Sequence, residues 1–256
     1  MPLLALENVT RYFGGLGAVR NLSFTVEDGA IRGLIGPNGS GKSTVFNIIS
    51  GYLQPSSGRI RFDSRDITNH STPSLVELGI VRTFQATQIF DNLTVKENLT
   101  VSSQVIHRES LARSFLRPAL LDRDEARLKG RADEILTLVG LSGASRCIAR
   151  DLPYRDQKML ALANAMATGA KLLMLDEPMA GLTMQETRAA MEVIRWARDK
   201  GATILLIEHD MRCIMELCDL IVVLDHGEKI CDGTPNEVRR NPQVIEIYLG
   251  ADECSK

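Results

Sequence analysis

Gly36-Pro37-Asn38-Gly39-Ser40-Gly41-Lys42-Ser43-Thr44 fits the pattern G-x-x-x-x-G-K-[ST], and its reading decides the fold. Before it, Ile31 to Ile35 is a short apolar run of the kind that forms a buried strand. After it, Val45 to Ser50 reads as a helix closed by Gly51. Strand, glycine-rich loop and helix in that order build a cradle for phosphate. The glycines let successive backbone N–H groups turn inward as an anion nest, and the helix N-terminus adds partial positive charge. Lys42 is placed to reach β- and γ-phosphates, and the Ser43 hydroxyl to ligate Mg²⁺. The four fixed positions match by chance in about one in a hundred chains of this length, and the flanking elements lower that further. A nucleotide is therefore expected on Gly36, Pro37, Asn38, Gly39, Ser40, Gly41, Lys42, Ser43 and Thr44.

The 256 residues suffice for one large domain or a core with an inserted subdomain. A formal net charge of −2 gives no general case for a nucleic-acid partner. No apolar run approaches the ~20 residues that span a bilayer, and no basic-then-apolar leader is visible at the N-terminus. Five cysteines, with no C-x-x-C pair among them, read as reduced thiols of a cytoplasm rather than disulfides or a metal site.

Working outward from the loop, residues 3–9 and 19–27 read as strands, with an Asp28-Gly29 turn into the central strand. Between them stands Arg11-Tyr12-Phe13-Gly14-Gly15. Neighbouring side chains of an extended segment face opposite ways, so only one of Tyr12 and Phe13 can stack on an adenine ring. Pro55-Ser56-Ser57-Gly58 is a turn, Arg59 to Phe62 a strand, Ser71-Thr72-Pro73 the start of a short helix ending at Gly79, and Ile80 to Phe84 a strand ending at Gln85. From Ala86 to Asn164 the pattern is helical. A capping box at Thr94-Val95-Lys96-Glu97 opens one helix, and Asp124 to Val139 is amphipathic, with Gly140 as its C-cap. Residues 105–131 carry Arg108, Arg113, Arg117, Arg123, Arg127 and Arg131, a solvated face or a surface for acidic partners. Residues 157–168 read as a helix, Lys171 to Leu175 as a strand, Thr183-Met184-Gln185-Glu186 as a capping box for a helix reaching Lys200, and Thr203 to Ile207 as a strand. Two short helices follow, capped at Thr234 and Asn241, the second ending at Gly250. Alternating strands and helices predict an α/β fold with a mostly parallel sheet covered on both faces.

Asp176-Glu177 ends an apolar strand, at the sheet edge where open α/β folds gather ligands. Asp176 would hold Mg²⁺ through water, and Glu177 would act as general base on the attacking water. Gln85, at another strand end, could touch metal and water together. His209, after a third strand, could hydrogen-bond the γ-phosphate.

Together these stretches resemble the ATP-binding subunit of an ABC transporter, over nearly the whole chain. The Walker A loop (Gly36–Thr44), the Gln-loop (Phe84-Gln85), Walker B (Leu172–Glu177), the D-loop (Ala180-Gly181-Leu182-Thr183) and a switch His209 stand in family order. Gly79-Ile80-Val81-Arg82-Thr83-Phe84-Gln85, Ile207-Glu208-His209-Asp210-Met211 and Tyr248-Leu249-Gly250 resemble the branched-chain amino-acid importer subfamily in particular. The resemblance implies a P-loop NTPase (RecA-like) core from residues 1–85 and 165–256, with an N-terminal antiparallel β subdomain and an inserted α-helical subdomain over residues 86–164. It implies ATP and Mg²⁺ as cofactors, the metal held by Ser43, Gln85 and Asp176. Glu177, His209 and Gln85 would be catalytic, and Phe13 would be the aromatic on adenine. The partners it implies are a second ATPase subunit closing head to tail around two ATP molecules, membrane permease subunits and, indirectly, a solute-binding protein, on the cytoplasmic face of the membrane.

One segment departs from the family. The signature, usually L-S-G-G-Q or in this subfamily a looser L-[SA]-Y-G-[DQ]-Q, stands here as Leu152-Pro153-Tyr154-Arg155-Asp156-Gln157. Pro153, expected as first residue of a helix, offers neither hydroxyl nor N–H to the ATP of the opposite subunit. Arg155 replaces a residue that lets backbone approach phosphate closely. Losing one such donor costs ~3 kcal/mol, or about 10²–10³ in rate, so Pro153, Tyr154, Arg155 and Asp156 predict a slow opposite site and a related but different partner chain. The alternative is an Arg155 guanidinium that itself pairs with phosphate. Other systems considered are amide or urea uptake, lipopolysaccharide export, a soluble ATPase of DNA repair or translation, and a regulatory module that binds ATP without hydrolysis.

Overall fold

The run Ile31–Ile35 is a strand buried at every residue, as are Leu172–Asp176 and Thr203–Ile207. Burial without alternation means that both faces are covered, the condition of parallel strands in an α/β layer. The computed structural model describes residues 2–83, 89–106 and 130–253. Its strands are β1 (Pro2–Phe13), β2 (Leu16–Glu27), β3 (Ile31–Ile35), β4 (Ser57–Phe62), β5 (Arg65–Asp66), β6 (Ile80–Arg82), β7 (Leu172–Asp176), β8 (Thr203–Ile207), β9 (Leu220–Asp225) and β10 (Glu228–Gly233). The helices are α1 (Lys42–Ile49), α2 (Thr72–Glu77), α3 (Val95–Ser103), α4 (130–138), α5 (Tyr154–Ala167), α6 (Met184–Asp199), α7 (Met211–Leu217), α8 (Pro235–Arg240) and α9 (Pro242–Glu253).

One sheet runs β10-β9-β3-β8-β7-β6. Its pairs are parallel except the edge strand β10, which is antiparallel to β9. The second sheet, β2-β1-β4-β5, is antiparallel throughout. Side chains of the parallel strands alternate between two cores. Ile35, Leu173, Leu175, Ile204, Leu206 and Val223 face one core with α5, α6 and α7. Leu34, Leu172, Met174, Leu205, Ile207 and Val222 face the other with α1 and the antiparallel sheet. The period of two thus divides each strand between layers. Helices α3, α4 and α5 all fall between β6 and β7 in the chain, the interval expected to be helical.

Long-range pairing shifts several expected boundaries. The first two strands continue to Phe13 and from Leu16, because their ladder runs, through several register shifts, right up to Gly14-Gly15. Helix α5 begins at Tyr154, and Pro153 is its N-cap with extended ψ rather than its first helical residue. Helix α9 passes Gly250 and continues to Glu253. Ile80's strand stops at Arg82; Phe84 and Gln85 lie outside the described residues, as do Asp124 and Arg108 through Arg127 of the arginine-rich stretch.

All three capping boxes close reciprocally, at Thr94–Glu97, Thr183–Glu186 and Thr234–Glu237. Ser71, before α2, makes no such side-chain bond. Thr94→Ala should therefore cost about 1 kcal/mol, lowering Tm by about 2–4 °C in calorimetry. Ser71→Ala should leave Tm unchanged.

Candidate nucleotide site

Parallel register delivers three strand ends to one edge. β8 lies between β3 and β7, with Gly33 level with Leu206 and Asp176 level with Ile207. The loop after β3, the acids ending β7 and Glu208-His209 after β8 therefore emerge side by side.

The loop after β3 can be made only with glycine at two positions. At Gly36 (φ +151°) a Cβ would lie 2.1 Å from the Leu224 carbonyl oxygen, and at Gly41 (φ +103°) 2.5 Å from that of Ala18. Helix α1 then starts with no side-chain cap and no acid in its first turn. Its N-terminal N–H groups and dipole are left for an anion. Ser40 Oγ is buried without a hydrogen-bond partner, a polar atom awaiting a ligand or a water. The Lys42 ammonium donates to the carbonyls of Gly36 (2.8 Å) and Pro37 (2.9 Å). Burial pulls its pKa below the ordinary lysine value, while nearby Glu177 and Asp176 favour its charged form. A phosphate would supply the charge that two carbonyl dipoles now only approximate.

Asp176 and Glu177 differ in environment although they are adjacent. Asp176 is buried and accepts from Arg82 Nη2 at 2.9 Å. Glu177 takes a left-handed backbone conformation (φ +50°), which few residues other than glycine adopt. In that conformation its Oε1 lies 2.6 Å from His209 Nε2. Such strain persists where the surroundings over-determine it. Here the Glu177 N–H continues the ladder to Ile207 O (2.9 Å). Behind the pair, the buried Glu208 carboxylate accepts the N–H groups of Met179 (2.7 Å) and His209 (3.2 Å). Desolvation raises the pKa of Glu208, opposed by those two donors. Among the described residues no three His, Cys, Asp or Glu gather around a point. A cation here would take Ser43, Asp176 and oxygens of a phosphate, the ligand set that suits Mg²⁺.

Residues 19–180 match the family model described as "ABC transporter", more than half of the chain. The chain belongs to the ABC transporter ATP-binding family. Residues 228–254 further match "Branched-chain amino acid ATP-binding cassette transporter". The cassette is 40% identical over 250 residues to a high-affinity branched-chain amino acid transport ATP-binding protein of Salmonella typhimurium, covering 97% of this chain and 98% of that one. A counterpart in Pseudomonas aeruginosa is also 40% identical, over 251 residues, with the same coverage. Among solved structures, the ADP conformation of an ATP-binding cassette of an ABC transporter superposes with TM-score 0.83 at 33% identity, covering 98% of this chain and 99% of that one. A nucleotide-free cassette superposes at TM-score 0.81 and 32% identity, covering 97% and 99%.

The remaining expected site residues of the cassette are spread over other elements. Tyr12 and Phe13 are both about half exposed, and the Arg11 guanidinium lies 4.9 Å from the Phe13 ring centroid. Pro153 leaves α5 without a side-chain cap. The exposed Tyr154 ring leans toward Gly181, where a Cβ would meet it at 3.4 Å. Arg155 turns onto its neighbour Asp156, Nη1 to Oδ1 at 2.6 Å. Sequence reading passed over Arg82, Thr83 and Glu208 as contributors. An arginine inside a predicted strand is the sequence signal for Arg82, and a carboxylate following an apolar strand the signal for Glu208.

The two tight glycines give a contrast that can be measured. Gly36→Ala should cost about 3 kcal/mol or more, because backbone and strand must shift. Gly39→Ala, with open space around its Cβ, should cost only about 1 kcal/mol of left-handed strain. Thermal unfolding of both purified variants checks the difference.

Proposed function

We propose that this cassette is the ATP-hydrolysing subunit of an importer for branched-chain or other neutral amino acids, driven by Mg²⁺–ATP. The chemistry rests on the 2.6 Å Glu177–His209 contact beside the phosphate loop. The solute class rests on the whole-length likeness to branched-chain transport proteins and on the match at residues 228–254.

In this reading the phosphates enter the loop 36–44 and Lys42 exchanges its carbonyl partners for them. Ser43 and Gln85, with Asp176 acting through water, would hold Mg²⁺, which would neutralise phosphate charge when bound. Glu177 takes the proton of the attacking water, its carboxylate held 2.6 Å from His209 Nε2. His209 fixes Glu177 and contacts the γ-phosphate. Phe13, with Arg11 stacked on it, is the adenine platform.

The cassette works as half of a head-to-tail pair, with a related but different chain, on the cytoplasmic face of a membrane permease served by a solute-binding protein. Helices α3, α4 and α5 belong to the helical unit that grips the permease. The altered segment 153–156 supports an asymmetric pair. Pro153 has no N–H to offer, and the Arg155 guanidinium is engaged by Asp156, so the site it faces is slow. The working site is then the one built on this chain's own Lys42, Asp176, Glu177 and His209.

Glu177→Gln in this chain should lower ATPase activity of the assembled transporter about 10²-fold or more, as loss of a general base does. Activity near wild type would place hydrolysis at the other site.

A further inference from the structure

Arg82 sits at the end of β6 and joins three elements. Its guanidinium donates to Asp176 Oδ2 of β7 at 2.9 Å and to Asn47 Oδ1 of α1 at 2.6 Å, with Ser50 Oγ at 3.3 Å. Its plane also lies against the Phe46 ring, 5.4 Å from the centroid. Both members of the Arg82–Asp176 pair are nearly buried, at 8% and 10% side-chain exposure. Next to it, Thr83 ties β6 to β7 a second time. Its N–H bonds Met174 O at 2.9 Å and its Oγ1 accepts the Asp176 N–H at 3.3 Å. The Asp176 backbone is thus held by Thr83 and by the β7–β8 ladder, independently of Arg82. What Arg82 supplies to Asp176 is a directly bonded full positive charge at a nearly buried carboxylate, with the nearby Lys42 ammonium as a second cation that makes no such bond to it.

We propose that Arg82 is a positioning residue of the metal half-site, charge-pairing Asp176 so that the cassette has little affinity for a free divalent cation and takes one up only with nucleotide phosphates. The proposal rests on the reading of Asp176 as a Mg²⁺ ligand. A carboxylate already paired with a buried guanidinium forms with it a unit of almost no net charge toward an incoming cation. Ser43 and Gln85, the other ligands proposed from the chain, are neutral. Phosphate oxygens then carry the negative charge that makes binding favourable. The metal arrives as part of the nucleotide complex, and the end of β6 stays clamped to Asp176 and to α1. Without Arg82, the buried Asp176 carboxylate loses its directly bonded cation and keeps only the Coulombic field of Lys42, which is unfavourable until another cation takes the place of the guanidinium.

The test is binding of Mn²⁺ alone, followed by electron paramagnetic resonance on the purified full-length chain without nucleotide, at mildly alkaline pH. Wild type should bind Mn²⁺ weakly. Arg82→Met should bind it about tenfold more tightly or better, and Arg82→Lys, which keeps the charge, should stay within about twofold of wild type. Adding Asp176→Asn to Arg82→Met should abolish the gain. Metal-free ATP binding through the phosphate loop shows that each variant is folded. If Arg82→Met does not fold, Arg82→Gln carries the same expectation. The proposal is overturned if the charge-removing variant binds Mn²⁺ no better than wild type, or if Arg82→Lys gains as much as Arg82→Met. A separate control asks whether Asp176→Asn alone weakens Mn²⁺ binding in the presence of a non-hydrolysable ATP analogue. If it does not, the ligand reading of Asp176 is what fails.

Discussion

The site depends first on the hydrogen-bond register of three parallel strands. Gly33 opposite Leu206 and Asp176 opposite Ile207 set the ends of β3, β8 and β7 level. A slip of one residue would exchange the two faces of a strand. Leu205 and Ile207 would leave the core shared with α1, and Ile204 and Leu206 the core shared with α5 to α7. Both faces of each strand are buried and, apart from Arg32, Asp176 and Thr203, carry no polar side chain, so register is specified from two sides. The hydrophobic layers that fold the protein are thus also what align a phosphate loop, a pair of acids and a histidine at one edge.

Charge at that edge is arranged to be incomplete. Lys42 rests on two carbonyls, the first turn of α1 lacks an acid, and Ser40 Oγ is buried without a partner. These are the conditions under which a multiply charged anion gains most from binding. The carboxylates are treated oppositely. Asp176 is paired with Arg82, whereas Glu177, itself left-handed, contacts His209. Two adjacent acids with separate partners can serve separate roles, one toward a metal and one toward a proton.

Much of this was legible in the sequence where the signal is local. The strands Ile31–Ile35 and Thr203–Ile207 have the expected bounds. The capping boxes depend on residues three apart and form as read. The strand-loop-helix order fixes the phosphate loop without further information. What escaped is set by partners distant in the chain. The β1–β2 ladder runs up to Gly14 because Tyr12 meets Gly17, not because of its own composition. Pro153 could not be told from a first helical residue until the backbone showed its extended ψ. Arg82 lies 94 residues from Asp176 and becomes meaningful only when β6 and β7 pair. The turn at Glu177 has no glycine to announce it.

The central claim is that the loop at Gly36–Thr44 binds nucleotide phosphate through Lys42. Calorimetric titration of ATP with Mg²⁺ into wild type and Lys42→Ala, both shown to be folded by Tm, tests it most directly. Wild type should bind, and the variant should lose at least about 2 kcal/mol, or about 30-fold in Kd. Equal affinity in the two proteins would contradict the account.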